Sequence, residues 1–206
     1  MAIRESSSDR LPAEARRDSI IQAAWEILRE YGLEGLSIEA IVGRVGVSRP
    51  IFYRHFTDRT DVLAALYDDY AQDLSARTAS AVTEATTLDE VVVVTLRVYF
   101  DCFQKRGAYV RALIDHVRNS PRFDESRRTL RERQMKLIFE TVTRLGITAP
   151  TQAILVQIRL LQAAAMEAAT MIGESDDLRA EIESALVRIE RSTIEAIMAD
   201  FAPGTP

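Results

Sequence analysis

The chain has 206 residues, of which 47% are hydrophobic and 28% charged, the balance of a globular protein that can bury a core. Its net charge is −5 at pH 7, which argues against a general polyanion binder. The single cysteine, Cys102, excludes an internal disulfide bond and a cysteine-based zinc site. The N-terminal segment has no apolar signal core, so we expect a cytoplasmic protein that does not enter the membrane.

The first predicted helices follow an N-terminal arm, residues 1–15, which we expect to be disordered. Over residues 16–31, apolar side chains recur at steps of three and four, and Gly32 ends this helix. A short second helix begins after Ser37, its predicted N-cap, and ends at Gly46. Helical periodicity of this kind continues along nearly the whole chain and predicts about nine helices.

A third and a fourth helix follow the glycine turn. Ser48 is predicted to cap the third helix, with Pro50 near its first turn, and either Thr57 or Asp58 begins a longer fourth helix. Two short helices joined by a tight glycine-containing turn, behind a packing helix, describe a helix-turn-helix. We therefore assign residues 16–60 to a helix-turn-helix DNA-binding domain.

The remainder of the chain is also predicted to be helical. Thr87 and Glu90 form a capping box that opens a fifth helix at Leu88. The run VVVV at 91–94 is strand-like, but the large apolar residues after it favour a buried helix. Four further helices are predicted over residues 108–119, 124–146 (capped by Asp124), about 150–172 and 176–201. Polar residues along the apolar stretch 150–172 argue against a membrane span.

The third helix is the predicted DNA-reading element, because the N-terminal residues of a recognition helix meet base edges in the major groove. Arg49 is long enough for a bidentate contact with guanine, and Pro50 can pack on a thymine methyl group. The hydroxyl groups of Ser48 and Tyr53 suit phosphate oxygens. His55 is either a core histidine bonded to the backbone or a phosphate contact. The candidate DNA contacts are Ser37, Arg44, Ser48, Arg49, Pro50, Tyr53, His55 and Arg59, with Arg44 and Arg59 as phosphate clamps on either side.

The segment "IIQAAWEILREYGLEGLSIEAIVGRVGVSRPIFYRHFTDRTDVLAALYDDY" resembles the DNA-binding region of the TetR/AcrR family of bacterial transcriptional regulators. The resemblance covers residues 16–70 and is carried by Ala23-Ala24, Gly32, Ser37, Gly46-Val47-Ser48 and Tyr53-x-His55-Phe56. Two positions depart from the family pattern. The usual Ile-Ala pair of the first short helix is Ile41-Val42, followed by Gly43, and the usual lysine of the fourth helix is Arg59.

The resemblance implies an all-α protein in which residues 61–206 form a helical ligand-binding and dimerisation domain. It further implies a repressor that binds a pseudo-palindromic operator in double-stranded DNA as a homodimer, in the bacterial cytoplasm and on the nucleoid when bound. Surplus apolar faces place the dimer contact on the helices of about 150–172 and 176–201. A pocket for a mainly apolar small-molecule effector is expected among apolar and aromatic side chains. These candidates are Tyr67, Tyr70, Leu96, Tyr99, Phe100, Phe103, Met135, Phe139 and Met166; for each, plain core packing is the alternative.

Two other classes of function, a helical enzyme and an adaptor, are less consistent with the sequence. A helical di-iron enzyme requires Glu-x-x-His pairs, whereas His55 and His116 follow Phe52 and Leu113 at that spacing. No glycine-rich phosphate loop is present, so we expect neither an enzyme nor a bound cofactor or metal. An adaptor built on the same helix-turn-helix leaves some 140 C-terminal residues without a role.

Overall fold

The computed structural model describes residues 12–106, 108–118, 120–146, 163–169 and 176–200, together with residues 156, 160 and 171. All regular secondary structure among them is helical, which confirms the predicted all-α class. The helices are α1 (Ala13–Gly35), α2 (Ile38–Val45), α3 (Arg49–Tyr53), α4 (Arg59–Val82), α5 (Leu88–Arg106), α6 (Ala108–Arg118), α7 (Asp124–Arg144), α8 (described over 163–169) and α9 (Arg179–Asp200), with 3-10 turns at Pro121–Phe123 and Asp176–Leu178. Most of the predicted helix 150–172 lies outside the described residues.

Near the N-terminus, the observed ends of α1 differ by a few residues from the predicted ones. Gly32 has a φ of 68° and breaks the helical path of α1, as its position predicted, although one more helical stretch follows to Gly35. α1 begins at Ala13, within the segment 1–15 that was expected to be an arm, and residues 1–11 lie outside the described part.

Two of the predicted caps differ from the structure. Ser48 occupies the N-cap position of α3, but its side chain makes no capping hydrogen bond. Asp124 is not a cap, because the 3-10 turn Pro121–Phe123 leads directly into α7 and gives Asp124 helical backbone angles. Proline at the start of that turn supplies a fixed φ suited to a first helical position.

The capping box before α5 is confirmed in both directions. The Glu90 amide donates to Thr87 Oγ1 at 3.2 Å, and the Thr87 amide donates to Glu90 Oε2 at 3.3 Å. A second donor, the Thr86 amide, lies 2.7 Å from the same carboxylate oxygen. The run 91–94 is helical, so the flanking periodicity outweighed the β-propensity of four consecutive valines.

The described helices group into two compact units. The first contains the residues up to Tyr70 together with Tyr109–Arg127. Its largest fully buried side chains are Ile20, Ile27, Leu28, Leu36, Ile41, Phe52, Phe56, Val62, Leu63, Leu66, Leu113 and Phe123. A hydrogen bond of 2.8 Å from Trp25 Nε1 to Asp69 Oδ2 ties α1 to α4, and the ring of Trp25 meets that of Tyr109 on α6 edge-on at 6.2 Å.

The second unit contains Ala71–Ala108 and the residues from Arg128 onward. Arg144, at the end of α7, donates to the carbonyl oxygens of Val82 and Ala85, both at 2.7 Å, and so covers the open C-terminal end of α4. α5 and α9 run antiparallel, because ion pairs join Asp101 to Arg179 and Asp89 to Arg191. The division predicted at residue 60 stays a prediction, and α4 contributes residues to both units.

No helix among the described residues combines the length and the low charge needed to cross a lipid bilayer.

Candidate nucleic-acid interface

The turn between α2 and α3 is set by backbone hydrogen bonds around Gly46. Gly46 adopts left-handed angles, φ 74° and ψ 33°, and its amide donates to the Val42 carbonyl at 2.9 Å. The Val47 amide reaches the same carbonyl at 3.1 Å, which closes the C-terminal end of α2. At the other end of α2, the Ala40 amide donates to Ser37 Oγ at 3.1 Å, the predicted cap. A hydroxyl that accepts one bond keeps its proton as a donor, so Ser37 can still contact a phosphate.

α3 is held in place by one buried face. Phe52 is fully buried and packs against Phe56 with a ring separation of 5.7 Å, while the guanidinium group of Arg17 lies 5.1 Å over the Phe56 ring. Both phenylalanines therefore face the core, and Val47, in the turn before α3, is half-buried.

The opposite face of α3 is open to solvent. Ser48, Arg49 and Pro50 are exposed, and the ring of Tyr53 is 52% exposed although it touches Phe52 edge-on. Because Ser48 makes no capping bond, its hydroxyl group is available at the N-terminus of α3, beside the side chain expected to contact guanine. The structure thus brings four of the predicted DNA contacts together on one surface.

Arg44 forms ion pairs with two glutamate side chains of α1. Its Nη1 and Nη2 atoms donate to the two carboxylate oxygens of Glu30 at 3.0 and 2.7 Å, and Nη1 also reaches Glu26 at 3.2 Å. These hydrogen bonds raise the pKa of the Arg44 guanidinium group, and the same bonds lower the pKa of Glu30. Arg44 therefore joins α2 to α1, and a phosphate must compete with two carboxylates for it.

Arg49 also meets an acidic side chain. Its Nη2 atom donates to Oε1 of Glu39, in the first turn of α2, and both side chains are more than half exposed. Arg54, at the end of α3, has neither a carboxylate nor a carbonyl partner among the described residues. The four arginines of residues 37–59 are therefore not equivalent, because acidic residues compensate two of them.

Arg59 lies at the start of α4, where it packs against the end of α1. Its Nη2 atom donates to the Leu33 carbonyl, and its Nε atom is buried. Asp58 caps α4 by accepting the Asp61 amide at 2.9 Å, which resolves the choice between Thr57 and Asp58. The pKa of the Asp58 carboxyl group is lowered chiefly by this bond and, to a smaller extent, by the bond from Arg122 Nη2 at 2.8 Å.

His55 lies half-buried at the edge of the exposed face, immediately after α3. Its backbone amide donates to the Phe52 carbonyl at 2.9 Å. Burial, and then the charges of Arg54, Arg16 and Arg17, lower the pKa of the imidazole below 6.5. This shift favours the neutral imidazole, which can offer DNA a hydrogen bond.

The effector-pocket candidates fall in both units. Tyr67 and Tyr70 are buried in the first unit, and the other seven candidates belong to the second. On α5, Leu96, Phe100 and Phe103 are buried, and the ring of Tyr99 lies 5.2 Å from Phe103 and 6.1 Å from Phe100. Met135 and Met166 are partly exposed, and Phe139 is 50% exposed.

Sequence reasoning missed the acidic partners of the interface. Glu26 and Glu30 are one helical turn apart on α1, which places them on one face, but nothing in the sequence links them to Arg44. Glu39 belongs to no sequence motif that would link it to Arg49. Pairing between residues ten or more positions apart depends on how α1, α2 and α3 pack.

Comparisons with known proteins agree with this geometry. A family model described as "Bacterial regulatory proteins, tetR family" matches residues 20–66. The tetracycline repressor protein class C of Escherichia coli is 37% identical over 51 residues, which cover 25% of this chain and 23% of that protein. The HTH-type transcriptional activator FasR of Mycolicibacterium smegmatis is 23% identical over 108 residues, covering 52% of this chain and 49% of its own.

The chain thus spans half or less of the length of these two relatives. Over nearly its whole length it shares its fold with the crystal structure of a transcriptional regulator from Pseudomonas aeruginosa PAO1, with a TM-score of 0.72 and 18% identity, covering 96% of this chain and 97% of that one. The helix-turn-helix within residues 20–66 thus matches the tetR family of bacterial regulatory proteins, and the Pseudomonas aeruginosa structure shares the fold of nearly the whole chain.

Proposed function

We propose that this chain is a ligand-responsive transcriptional repressor that binds a pseudo-palindromic operator through α3. The observation that carries the proposal is the exposed surface of Ser48, Arg49, Pro50 and Tyr53 on α3, opposite the buried ring of Phe52. Polar and cationic side chains at the start of a recognition helix are placed to contact base edges and phosphates in the major groove. A catalytic role has no comparable support, and the named relatives are regulators.

Selection of bound sequences from random duplex DNA tests the DNA-binding part of the proposal. We expect enrichment of a motif with two-fold symmetry whose half-sites lie about one helical turn, ~34 Å, apart or at a multiple of that spacing. Arg49→Ala should relax preference at one position of each half-site, because a bidentate contact contributes about 1–3 kcal/mol of discrimination. Absence of any enriched sequence would refute the proposal.

The proposal of a homodimer is supported by apolar side chains that are exposed to solvent in the single chain. Val156 and Leu160, one helical turn apart in the predicted helix 150–172, are 50% and 60% exposed, and Ile189 on α9 is 54% exposed. Contiguous apolar patches on a surface mark subunit interfaces, and these three side chains are candidates for such a patch. Leu160→Glu should shift sedimentation velocity from dimer to monomer, whereas Glu167→Gln, an exposed change in the same segment, should not. A parent protein that sediments as a monomer at micromolar concentration would contradict the dimer.

The effector is proposed to be mainly apolar and to bind in the second unit, near the rings of Tyr99, Phe100 and Phe103 on α5. Because α4 contributes residues to both units, displacement of this helix is the proposed route by which the ligand weakens DNA binding. A coupling of about 1–3 kcal/mol would change operator affinity roughly 5–150-fold.

Reciprocity provides the test of this coupling. The neutral apolar dye N-phenyl-1-naphthylamine is titrated into the protein with and without the enriched duplex, and its fluorescence reports binding. Operator DNA should weaken dye binding by the same factor by which the dye weakens DNA binding. Equal dye affinity in both titrations would refute release by an apolar ligand. A reporter gene behind the enriched sequence separates repression from activation, and higher expression with the protein present would refute the repressor.

A further inference from the structure

The ion pair between Glu39 and Arg49 is a feature that the proposed function does not explain. DNA-binding surfaces are usually rich in uncompensated positive charge. Here the arginine expected to contact guanine donates to a carboxylate on the neighbouring helix, and both side chains remain more than half exposed. Exposed ion pairs contribute little to stability, so the pairing of Glu39 with Arg49 has little structural value of its own.

The two side chains lie where α2 and α3 approach each other on the exposed side of the helix-turn-helix. Glu39 is in the first turn of α2, and Arg49 is the first residue of α3. The contact between Nη2 of Arg49 and Oε1 of Glu39 brings a donor and an acceptor side by side. Two groups in hydrogen-bond contact are close enough to meet the edge of a single base pair.

The major-groove edge of a G·C pair has the complementary pattern. Guanine presents two acceptors, N7 and O6, and cytosine presents the N4 amine as a donor next to O6. This order of acceptor, acceptor and donor occurs in no other base pair. A guanidinium group that donates to N7 and O6 would therefore leave an adjacent carboxylate beside the N4 amine, and glutamate is a known acceptor for that group.

We propose that Glu39 and Arg49 together read one G·C base pair, and that Glu39 is a specificity-determining residue. The proposal rests on the proposed function, since it requires α3 in the major groove. On non-cognate DNA, the carboxylate competes for Arg49 and repels the phosphates, which lowers the affinity for every non-cognate sequence. On the cognate base pair, both groups find partners, so Glu39 increases the difference between cognate and non-cognate DNA.

The test measures the DNA affinity of the parent, Glu39→Ala and Glu39→Gln on two duplexes. The first is the duplex enriched by the parent. In the second, the cognate cytosine is replaced by 2-pyrimidinone, which lacks the N4 amine. We expect the parent to lose about 5-fold or more in affinity on losing the amine, within the range for one base-edge contact. For Glu39→Ala, the logarithm of the affinity ratio between the two duplexes should be less than about half of the parent's, because the variant already lacks the acceptor for the amine. Glu39→Gln keeps an acceptor oxygen and should retain the dependence on the amine.

A second readout separates this role from a structural one. Removal of the carboxylate should tighten binding to a scrambled duplex and steepen the dependence of log affinity on log salt by up to about 0.9, the slope for one additional phosphate contact. Glu84→Ala removes one exposed carboxylate from the other unit and serves as the charge control. Thermal unfolding of every variant verifies that the helix-turn-helix is intact.

The outcomes distinguish the two proposals. If the parent enriches no sequence, the proposed function fails, and the base-pair reading fails with it. If the parent enriches a motif but Glu39→Ala depends on the amine as strongly as the parent does, only the role of Glu39 is refuted.

Discussion

The carboxyl group of Glu190 leads to a prediction about stability that can be worked from the structure. Glu190 lies on α9 in the second unit, is only 7% exposed, and accepts no hydrogen bond from a described residue. Burial raises the pKa of this carboxyl group from 4.5 to about 7. Between these two pH values, the folded chain keeps a proton that the unfolded chain has released.

The sign of the pH dependence follows from this difference in bound protons. Because the folded state binds more protons, its free energy of unfolding falls as the pH rises from about 4.5 to about 7. Above pH 7, Glu190 is ionised in both states, and the loss of unfolding free energy stays constant. The pKa difference of about 2.5 units, at about 1.36 kcal/mol for each unit, limits this loss to roughly 3 kcal/mol.

Glu190→Gln tests this reasoning, because glutamine resembles the protonated side chain in shape and cannot ionise. We expect the variant to raise the free energy of unfolding at pH 8 by up to roughly 3 kcal/mol and to leave it nearly unchanged at pH 4. Urea unfolding followed by circular dichroism at both pH values measures the difference. Glu195→Gln, an exposed change on the same helix, is the matched control. An equal effect of Glu190→Gln at both pH values, or none at pH 8, would refute the reasoning.

Three further predictions concern the first unit. Trp25→Phe removes the bond to Asp69 and should lower the free energy of unfolding by about 1.5–3 kcal/mol, as for a hydrogen bond to a charged group; an unchanged urea midpoint would contradict this. Gly46→Ala places a Cβ at a φ of 74° and should cost about 1–2 kcal/mol, whereas Gly43→Ala, in the helical interior of α2, should stabilise in the same assay. The pKa of the His55 imidazole is lower in the folded state, so its contribution to the free energy of unfolding is complete above pH 6.5 and is lost as the pH falls through the folded-state pKa. His55→Gln should flatten this part of the plot of unfolding free energy against pH. An unaltered plot would show that another group is responsible.

The fold was predictable because its signals are local. Apolar periodicity identified the helices, and Gly32 and Gly46 have the positive φ angles that a helix break and a tight turn require. The reciprocal bonds of Thr87 and Glu90 involve residues three positions apart, so sequence alone contains their geometry. Asp124 was misassigned because the preceding proline opens a 3-10 turn, which moves the start of the helical path upstream.

The pairing at the candidate interface was not predictable from sequence. Exposure of Arg49 and burial of Phe52 follow from the helical pattern, but the contact of Arg49 with Glu39 requires the angle between α2 and α3. The bond between Arg122 and Asp58 joins residues 64 positions apart, and nothing in either segment indicates it. Such contacts are set by tertiary packing, which the spacing of residues along one chain does not encode.

The central claim, that α3 contacts guanine through Arg49, is tested most directly by methylation interference on the enriched duplex. Methylation of guanine N7 removes one of the two acceptors to which Arg49 is proposed to donate. The account predicts that one methylated guanine in each half-site blocks binding of the parent, and that Arg49→Ala, which binds more weakly, is indifferent to methylation at that guanine. Interference at the same guanine in parent and variant alike, or at none, would contradict the account.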